Sequence, residues 1–174
     1  MSIIRTYFIS ILSVFVISCK GVSQEEKLFR LDDLSSSTVL ENSNCAEIIV
    51  KEESENIETL LKKLKNNFNH RLKRTILMFY IEGGEVIHFY SIGVLVSENG
   101  TTDRVLYDDD LAQSSTQDRF DSEDFYGFLN TLNDGSMITS NKLTVIDIEN
   151  GKIKCSNYLN IERTKGDLLK ELKW

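Results

Sequence analysis

The sequence predicts a single α+β domain in which a mostly antiparallel sheet packs against two or three helices. Apolar segments flank three turn pairs that are typical of hairpins, Gly83-Gly84, Asn99-Gly100 and Asn150-Gly151. Another segment has the period of an amphipathic helix, with apolar residues at Ile57, Leu60, Leu61, Leu64 and Phe68. These features predict the order strand, helix, meander, helix, hairpin, helix.

The first elements follow a polar segment that we interpret as a tether over residues 19–44, with a short helix within it at Glu25–Leu34. The folded domain is then expected over residues 45–174. Apolar and charged residues alternate over Ala46–Val50, which predicts a strand. Ser54 is a suitable N-cap for the amphipathic helix that follows.

The meander comprises apolar segments 75–81 and 86–96 and a shorter strand at 103–107. If each turn holds two residues, Phe79 lies opposite His88 and Ile92 lies opposite Tyr107. One face would then carry a candidate ligand-binding group of Phe79, His88, Tyr90 and Tyr107. Both faces are apolar, so the sheet must be covered on two sides or leave one side as a cleft.

The last hairpin has the clearest pairing signal. With Asn150-Gly151 as its turn, Glu149 lies opposite Lys152 and Asp147 opposite Lys154, which places opposite charges together. The alternate residues Ile146, Ile148, Ile153 and Cys155 then face the core. A helix capped by Asp121 or Ser122 is expected before this hairpin, and a final helix over residues 165–172 after it.

Length and composition limit the class of protein. The chain has 174 residues, of which 41% are hydrophobic and 27% charged, as in a folded globular protein. Its formal net charge is −7. An acidic chain lacks the basic surface that general nucleic-acid binding requires, so we expect no nucleic-acid partner.

The first eighteen residues have the layout of a secretory signal peptide. Arg5 precedes an apolar stretch from Tyr7 to Ile17, followed by Ser18 and Cys19. The stretch is too short for a permanent spanning helix, which needs roughly 20 apolar residues. The alternative is a buried helix of the domain, which would have to be apolar on all sides.

The end of this segment, Val16-Ile17-Ser18-Cys19, resembles the lipobox of bacterial lipoproteins. The resemblance implies cleavage between Ser18 and Cys19 and attachment of a diacylglycerol and an acyl chain, such as palmitate, to Cys19. It also implies a cell-envelope location, with the membrane bound through Cys19. Lys20 occupies the position where aspartate retains such proteins in the inner membrane, which favours the outer membrane. The segment 20–26 resembles the acidic export signals of surface lipoproteins of Bacteroidota.

Two cysteines remain after cleavage, Cys45 and Cys155. The envelope permits disulfides, so a bridge between them is expected, and two unpaired buried thiols are the alternative.

The segment 103–124 is acidic, and Asp108, Asp109, Asp110, Asp121 and Asp124 form a candidate surface for a protein partner. Its spacing matches no calcium loop, so we interpret it as solvated rather than metal-binding. The sequence also lacks phosphate-loop, zinc and nucleophile-elbow motifs. We therefore predict no metal, no cofactor and no catalytic residue.

These observations favour a non-catalytic, membrane-tethered binding module with an unknown envelope protein as its partner. An inhibitor or immunity-type lipoprotein that neutralises a basic protein is one form of this. The alternative is an envelope hydrolase or small-ligand-binding protein that uses the aromatic face around His88. In a hydrolase, His88 would act as a general base. A purely structural envelope component is a third possibility.

Overall fold

The computed structural model of the protein describes residues 25–67, 71–108, 119–120 and 137–174. The N-terminal elements are β1 (Phe29–Arg30), a 3-10 turn (Leu31–Asp33), α1 (Ser36–Leu40), α2 (Ser43–Ala46) and α3 (Lys51–Asn67). The strands that follow are β2 (Arg71–Glu82), β3 (Glu85–Val96), β4 (Thr102–Asp108), β5 (Arg119–Phe120), β6 (Met137–Glu149) and β7 (Lys152–Thr164). Helix α4 (Lys165–Glu171) follows β7 directly.

The described strands form one antiparallel sheet, which confirms the predicted α+β class. Its order is β5-β4-β3-β2-β6-β7, and β1 pairs with the first residues of β2. Gly83 and Gly84 have φ angles of 61° and 88° in the turn between β2 and β3, a backbone region that glycine occupies without strain. Helix α3 confirms the predicted amphipathic helix, and α4 confirms the predicted last helix.

Both faces of the sheet are buried, each under a different part of the chain. One face, called here the helix side, packs against α1, α2 and α3 through Val39, Cys45 and Leu61 respectively. The other face, called here the α4 side, packs against Leu168 and Leu169 of α4. The requirement for cover on two sides, which follows from two apolar faces, is therefore met.

The structure places the start of the domain earlier than residue 45. Phe29, Leu31, Leu34 and Val39 are all buried in the helix-side core. Burial of these side chains removes apolar surface from water, which stabilises the segment on the domain at roughly 25 cal/mol per Å². Residues 29–44 therefore belong to the fold and not to a tether, and Glu25–Leu34 forms β1 and a 3-10 turn in place of the expected helix.

The strand expected over Ala46–Val50 is absent from the structure. Asn42 caps α2 by accepting a hydrogen bond from the Asn44 backbone N–H at 3.1 Å. The carbonyl of Cys45 then accepts hydrogen bonds from the N–H groups of Ile48 and Ile49. These local hydrogen bonds form a helical turn that leads to α3, which begins at Lys51 rather than after Ser54.

The predicted register of the meander is wrong by one residue. The turn pairs Glu82 with Glu85 as expected, but Tyr80 then pairs with His88 because a bulge at Ile87 adds a residue to β3. The β3–β4 loop holds five residues, since Val96 pairs with Thr102. Phe79 consequently lies opposite Phe89, and Ile92 lies opposite Leu106.

The β6–β7 hairpin confirms its predicted register. Glu149 pairs with Lys152, Asp147 with Lys154, and Ile146 with Cys155. Cys45 of α2 and Cys155 of β7 form the expected disulfide, with their Cα atoms 5.0 Å apart. Both cysteines are buried in the helix-side core, so the bridge fastens α2 to the sheet.

Candidate functional site

The aromatic face predicted as a ligand site is divided between the two sides of the sheet. Phe79 lies in the helix-side core, where its ring stacks on Phe89 at a centroid distance of 5.3 Å. Tyr90 lies in the α4-side core, and the His88 ring contacts it. Tyr107 pairs with Ser91 rather than Ile92. The bulge at Ile87 and the longer loop account for this division, so these four residues do not form one site.

His88 and Tyr90 instead join a compact cluster beneath α4. Their ring centroids lie 4.2 Å apart, and the Tyr80 ring meets Tyr90 edge-on at 5.9 Å. The Lys165 ammonium donates a hydrogen bond to the Tyr90 hydroxyl oxygen at 2.6 Å. The cavity beside this contact has a volume of about 10 Å³, which is room for about one water molecule. The first residue of α4 therefore occupies the space that a ligand would need here.

A larger groove lies on the α4 side, between β7 and the end of α4, with a volume of about 570 Å³. This volume is in the usual range for small-molecule sites. Its lining carries acidic, basic and hydroxyl side chains in close succession, among them Glu149, Lys154, Ser156, Tyr158 and Lys173. Such a lining suits a small ligand or a peptide segment that carries both signs of charge.

Arg74 closes one end of this groove and fixes its shape. Its guanidinium donates two hydrogen bonds to the Asp147 carboxylate, at 2.9 and 3.1 Å, and others to the carbonyls of Leu172 and Lys173. The hydrogen bond to Asp147 raises the pKa of Arg74 above its ordinary value. The Trp174 ring lies against the guanidinium, 5.3 Å from its central carbon. Residues 172–174 are therefore held on the sheet by one charged side chain.

Tyr158 forms part of the opposite wall. Its hydroxyl donates a hydrogen bond to Glu171 Oε1 at 3.0 Å, and Arg163 binds the other carboxylate oxygen at 2.5 Å. Burial raises the pKa of Tyr158 above its ordinary value, and the hydrogen bond to the Glu171 carboxylate raises it further. Both effects favour the neutral phenol.

We expect Glu171→Gln to lower the pKa of Tyr158, because an amide oxygen stabilises the neutral phenol less than a carboxylate does. Because the folded-state pKa is raised, the stabilising contribution of Tyr158 is complete below pH about 10 and is lost as the pH rises through the folded-state pKa. Absorbance titration of tyrosinate in the wild type and Glu171→Gln, with Tyr158→Phe to identify the contribution of Tyr158, measures the change in pKa. Urea unfolding of the wild type and Tyr158→Phe at several pH values measures the change in stability. Glu162→Gln on the exposed side of β7 is the matched control and should leave the titration unchanged. An unchanged tyrosinate titration in Glu171→Gln would contradict the assignment.

The predicted acidic surface begins where β4 ends. Asp108 is the last residue of β4 and pairs with Tyr90. The other four, Asp109, Asp110, Asp121 and Asp124, lie outside the described residues. Among the residues that the structure describes, no group of three or more metal-ligating side chains is placed to hold an ion.

Many charged residues of the described part of the chain lie at the two ends of the sheet. One end, called here the entry end, is where residue 25 joins the fold; the first residues of β2 and β7 and the last residues of α3, β6 and α4 lie there. It comprises segments 25–34, 61–67, 71–74, 97–101, 147–154 and 170–174, which carry twelve Lys and Arg and eight Asp and Glu. The opposite end comprises segments 51–58, 82–85 and 162–167 together with Lys142, which carry four Lys and Arg and eight Asp and Glu. In these described segments, basic residues outnumber acidic ones at the entry end and acidic residues outnumber basic ones at the opposite end. The two ends are called here the basic end and the acidic end.

Three contacts together place the chain entry beside the β6–β7 turn. The Glu26 carboxylate forms an ion pair with Lys73 Nζ at 2.6 Å. The Lys27 side chain lies over Gly151, where an added Cβ would come within 2.9 Å of Lys27 Cδ. The Asn150 N–H donates to the Lys73 carbonyl at 3.3 Å. This end of the sheet is therefore well defined by contacts between distant parts of the sequence.

Comparison with protein-family models, curated proteins and solved structures gives no significant match for this chain. Within the described ranges, no helix has the length and apolar character needed to cross a bilayer.

Proposed function

We propose that the protein is a lipid-anchored interaction module of the bacterial cell envelope, tethered through Cys19. The observation that carries the proposal is the position of the chain entry. Glu25 joins the fold at the basic end of the domain, and the acidic end lies at the opposite end of the same sheet. A lipid on Cys19 would hold the basic end towards the membrane and present the acidic end to a partner.

The short connection between Cys19 and the fold supports this arrangement. Five residues lie between Cys19 and Glu25. A fully extended chain spans at most about 3.6 Å per residue, so the six steps from Cys19 to Glu25 reach roughly 20 Å. Phe29 and Leu31 already pack in the core. The domain is therefore held close to the bilayer surface, and its orientation is restricted.

The disulfide also supports an envelope location. Disulfides form and persist in oxidising compartments and are rare in the cytosol. Cys45 and Cys155 are buried and bonded although 110 residues separate them. A buried structural bridge of this kind fits a protein that is exported before it folds.

The acidic end supports a basic protein partner. Glu82 and Glu85 are exposed, directly opposite each other, and the exposed Ile87 adjoins them. Like charges opposite each other on a sheet repel, and a cationic partner would relieve this repulsion. Charge of this kind mainly speeds the encounter with a partner and selects among partners. A cationic envelope protein, including a toxin that an immunity-type lipoprotein neutralises, fits this surface.

The alternative role, an envelope hydrolase or small-ligand-binding protein, needs a different site from the aromatic face around His88. Lys165 and α4 cover that face, whereas the groove lined by Ser156 and Tyr158 is open and large enough for a ligand. The groove therefore favours ligand binding over hydrolysis as the second candidate.

The anchor is tested by Cys19→Ala. We expect this variant to keep its leader and to incorporate no labelled palmitate, because it lacks the thiol to which the lipobox resemblance assigns the lipid. Lys20→Ala is the matched control, since it changes the neighbouring residue and keeps the modified cysteine; it should remain in the membrane. A processed Cys19→Ala protein that stays in the membrane fraction would overturn the proposal.

A further inference from the structure

We propose that the entry end of the domain docks on anionic phospholipid headgroups, through a surface made of Lys27, Lys73, Lys152 and Lys173. This inference rests on the proposed lipid anchor, which would bring this surface to the bilayer. It adds a second, electrostatic attachment that fixes which side of the domain faces the membrane. The headgroup chemistry that it requires is a phosphate with net negative charge, such as that of phosphatidylglycerol.

The four lysines belong to one surface although they come from four parts of the chain. Lys27 lies over Gly151, the neighbour of Lys152. The Lys73 carbonyl accepts from Asn150, which is in the same turn. Arg74, next to Lys73, binds the carbonyl of Lys173 at 3.1 Å. The tertiary structure thus brings these four residues together around the β6–β7 turn.

These lysines are available to an outside anion. Lys27, Lys152 and Lys173 are exposed, and the structure records no ion pair between them and any other described residue. Lys73 is partly exposed and pairs with the exposed Glu26, an interaction that water screens strongly. Arg74 differs, because Asp147 already neutralises it. The lysine surface is therefore the part of the basic end whose positive charge is available to bind an outside anion.

A further pair of cations extends this surface. Arg30 and Arg71 are exposed and lie directly opposite each other in the pairing of β1 with β2. Like charges in this position are unfavourable in a sheet without a counter-ion. An anionic headgroup layer supplies counter-charge to both, and each Lys or Arg near such a layer contributes about 1 kcal/mol, a factor of roughly five in the docked-to-undocked ratio.

Trp174 provides a built-in probe of docking. It is the only tryptophan in the sequence, and its contact with Arg74 places it at the entry end. The full lipidated chain would be reconstituted into vesicles of phosphatidylcholine, with or without phosphatidylglycerol, that carry a dansyl-labelled lipid. We expect energy transfer from Trp174 to the dansyl headgroups to be higher in vesicles that contain phosphatidylglycerol. In high salt, this transfer should fall to the level seen with phosphatidylcholine alone, called here the neutral level.

The variants separate docking from anchoring. Lys27→Gln/Lys152→Gln/Lys173→Gln should lower the docked-to-undocked ratio by roughly a hundredfold, so that transfer in phosphatidylglycerol vesicles falls to the neutral level. Lys51→Gln removes the charge of an exposed lysine at the acidic end; it is the control for loss of a lysine charge away from the docking surface and should leave the transfer unchanged. Equal transfer from the wild type in both vesicle types overturns docking.

Flotation of the same vesicles distinguishes the two proposals. Flotation with both compositions supports the anchor, whatever the transfer shows. Flotation with phosphatidylglycerol vesicles alone, reversed by salt, would overturn the anchor and support the lysine surface. Flotation with neither composition would overturn both.

Discussion

Replacement of both Cys45 and Cys155 by alanine is expected to lower the free energy of unfolding by about 4–5 kcal/mol. The bridge closes a loop of 110 residues between α2 and β7, and the entropy that a crosslink removes from the unfolded chain grows with loop length. Both side chains are buried in the helix-side core, so the variant also loses packing there. This destabilisation is comparable to the whole stability of many small domains.

Urea denaturation of the full chain, followed by circular dichroism, measures this effect. A reductant should produce a similar loss in the wild type and no further loss in Cys45→Ala/Cys155→Ala, which makes the double variant its own control. A wild-type midpoint that does not respond to reductant under unfolding conditions would show that the bridge does not form in the protein.

The sequence correctly predicts the elements whose pattern of turn, charged and apolar residues is compatible with only one local structure. The β6–β7 hairpin is of this kind, because Asn150-Gly151 fixes the turn and the pairs Glu149–Lys152 and Asp147–Lys154 fix the register. Helix α3 is another, because its apolar residues follow one period throughout. Such local signals do not depend on distant parts of the chain.

The register of β2 and β3 could not be predicted in this way. Residues 86–90 are all apolar or aromatic apart from His88, so a shift of one residue exchanges one apolar face for another. The bulge at Ile87 makes this shift, and it separates Phe79 from His88. Phe79 and Tyr90 of the predicted ligand face therefore lie on opposite faces of the sheet, although both strands and their turn are predicted correctly.

The entry end and the groove depend on contacts between distant residues. Arg74 meets Lys173 across 99 positions, and Lys65 donates to the Leu34 carbonyl across 31. Neither contact leaves a periodic signal in the sequence. Charged residues and serines separate the apolar residues of the N-terminal segment, among them Phe29 and Leu34, which is why the composition of this segment resembles that of a tether.

The buried ion pair between Lys142 and Glu53 is expected to be among the most sensitive positions in the domain. Lys142 Nζ donates to Glu53 Oε1 and also to the Ile48 carbonyl, at 3.3 Å. Asn157 donates to the same carbonyl at 3.1 Å. The pair therefore fastens the turn before α3 to β6 and β7, and Glu53 is almost fully buried.

We expect Lys142→Met to lower the free energy of unfolding by about 3–5 kcal/mol, because it leaves the Glu53 carboxylate buried without a counter-charge. The double variant Glu53→Leu/Lys142→Met should recover much of this loss, since a buried ion pair replaced by apolar residues is often neutral in stability. Denaturant unfolding of Lys142→Met, Glu53→Leu and the double variant gives the coupling free energy between Lys142 and Glu53. Lys51→Met, at an exposed position of the same helix, should change stability by less than about 0.5 kcal/mol. Additive effects of the two single variants would mean that Lys142 and Glu53 do not act as a pair, and a loss below about 1 kcal/mol in Lys142→Met would mean that Glu53 reaches water.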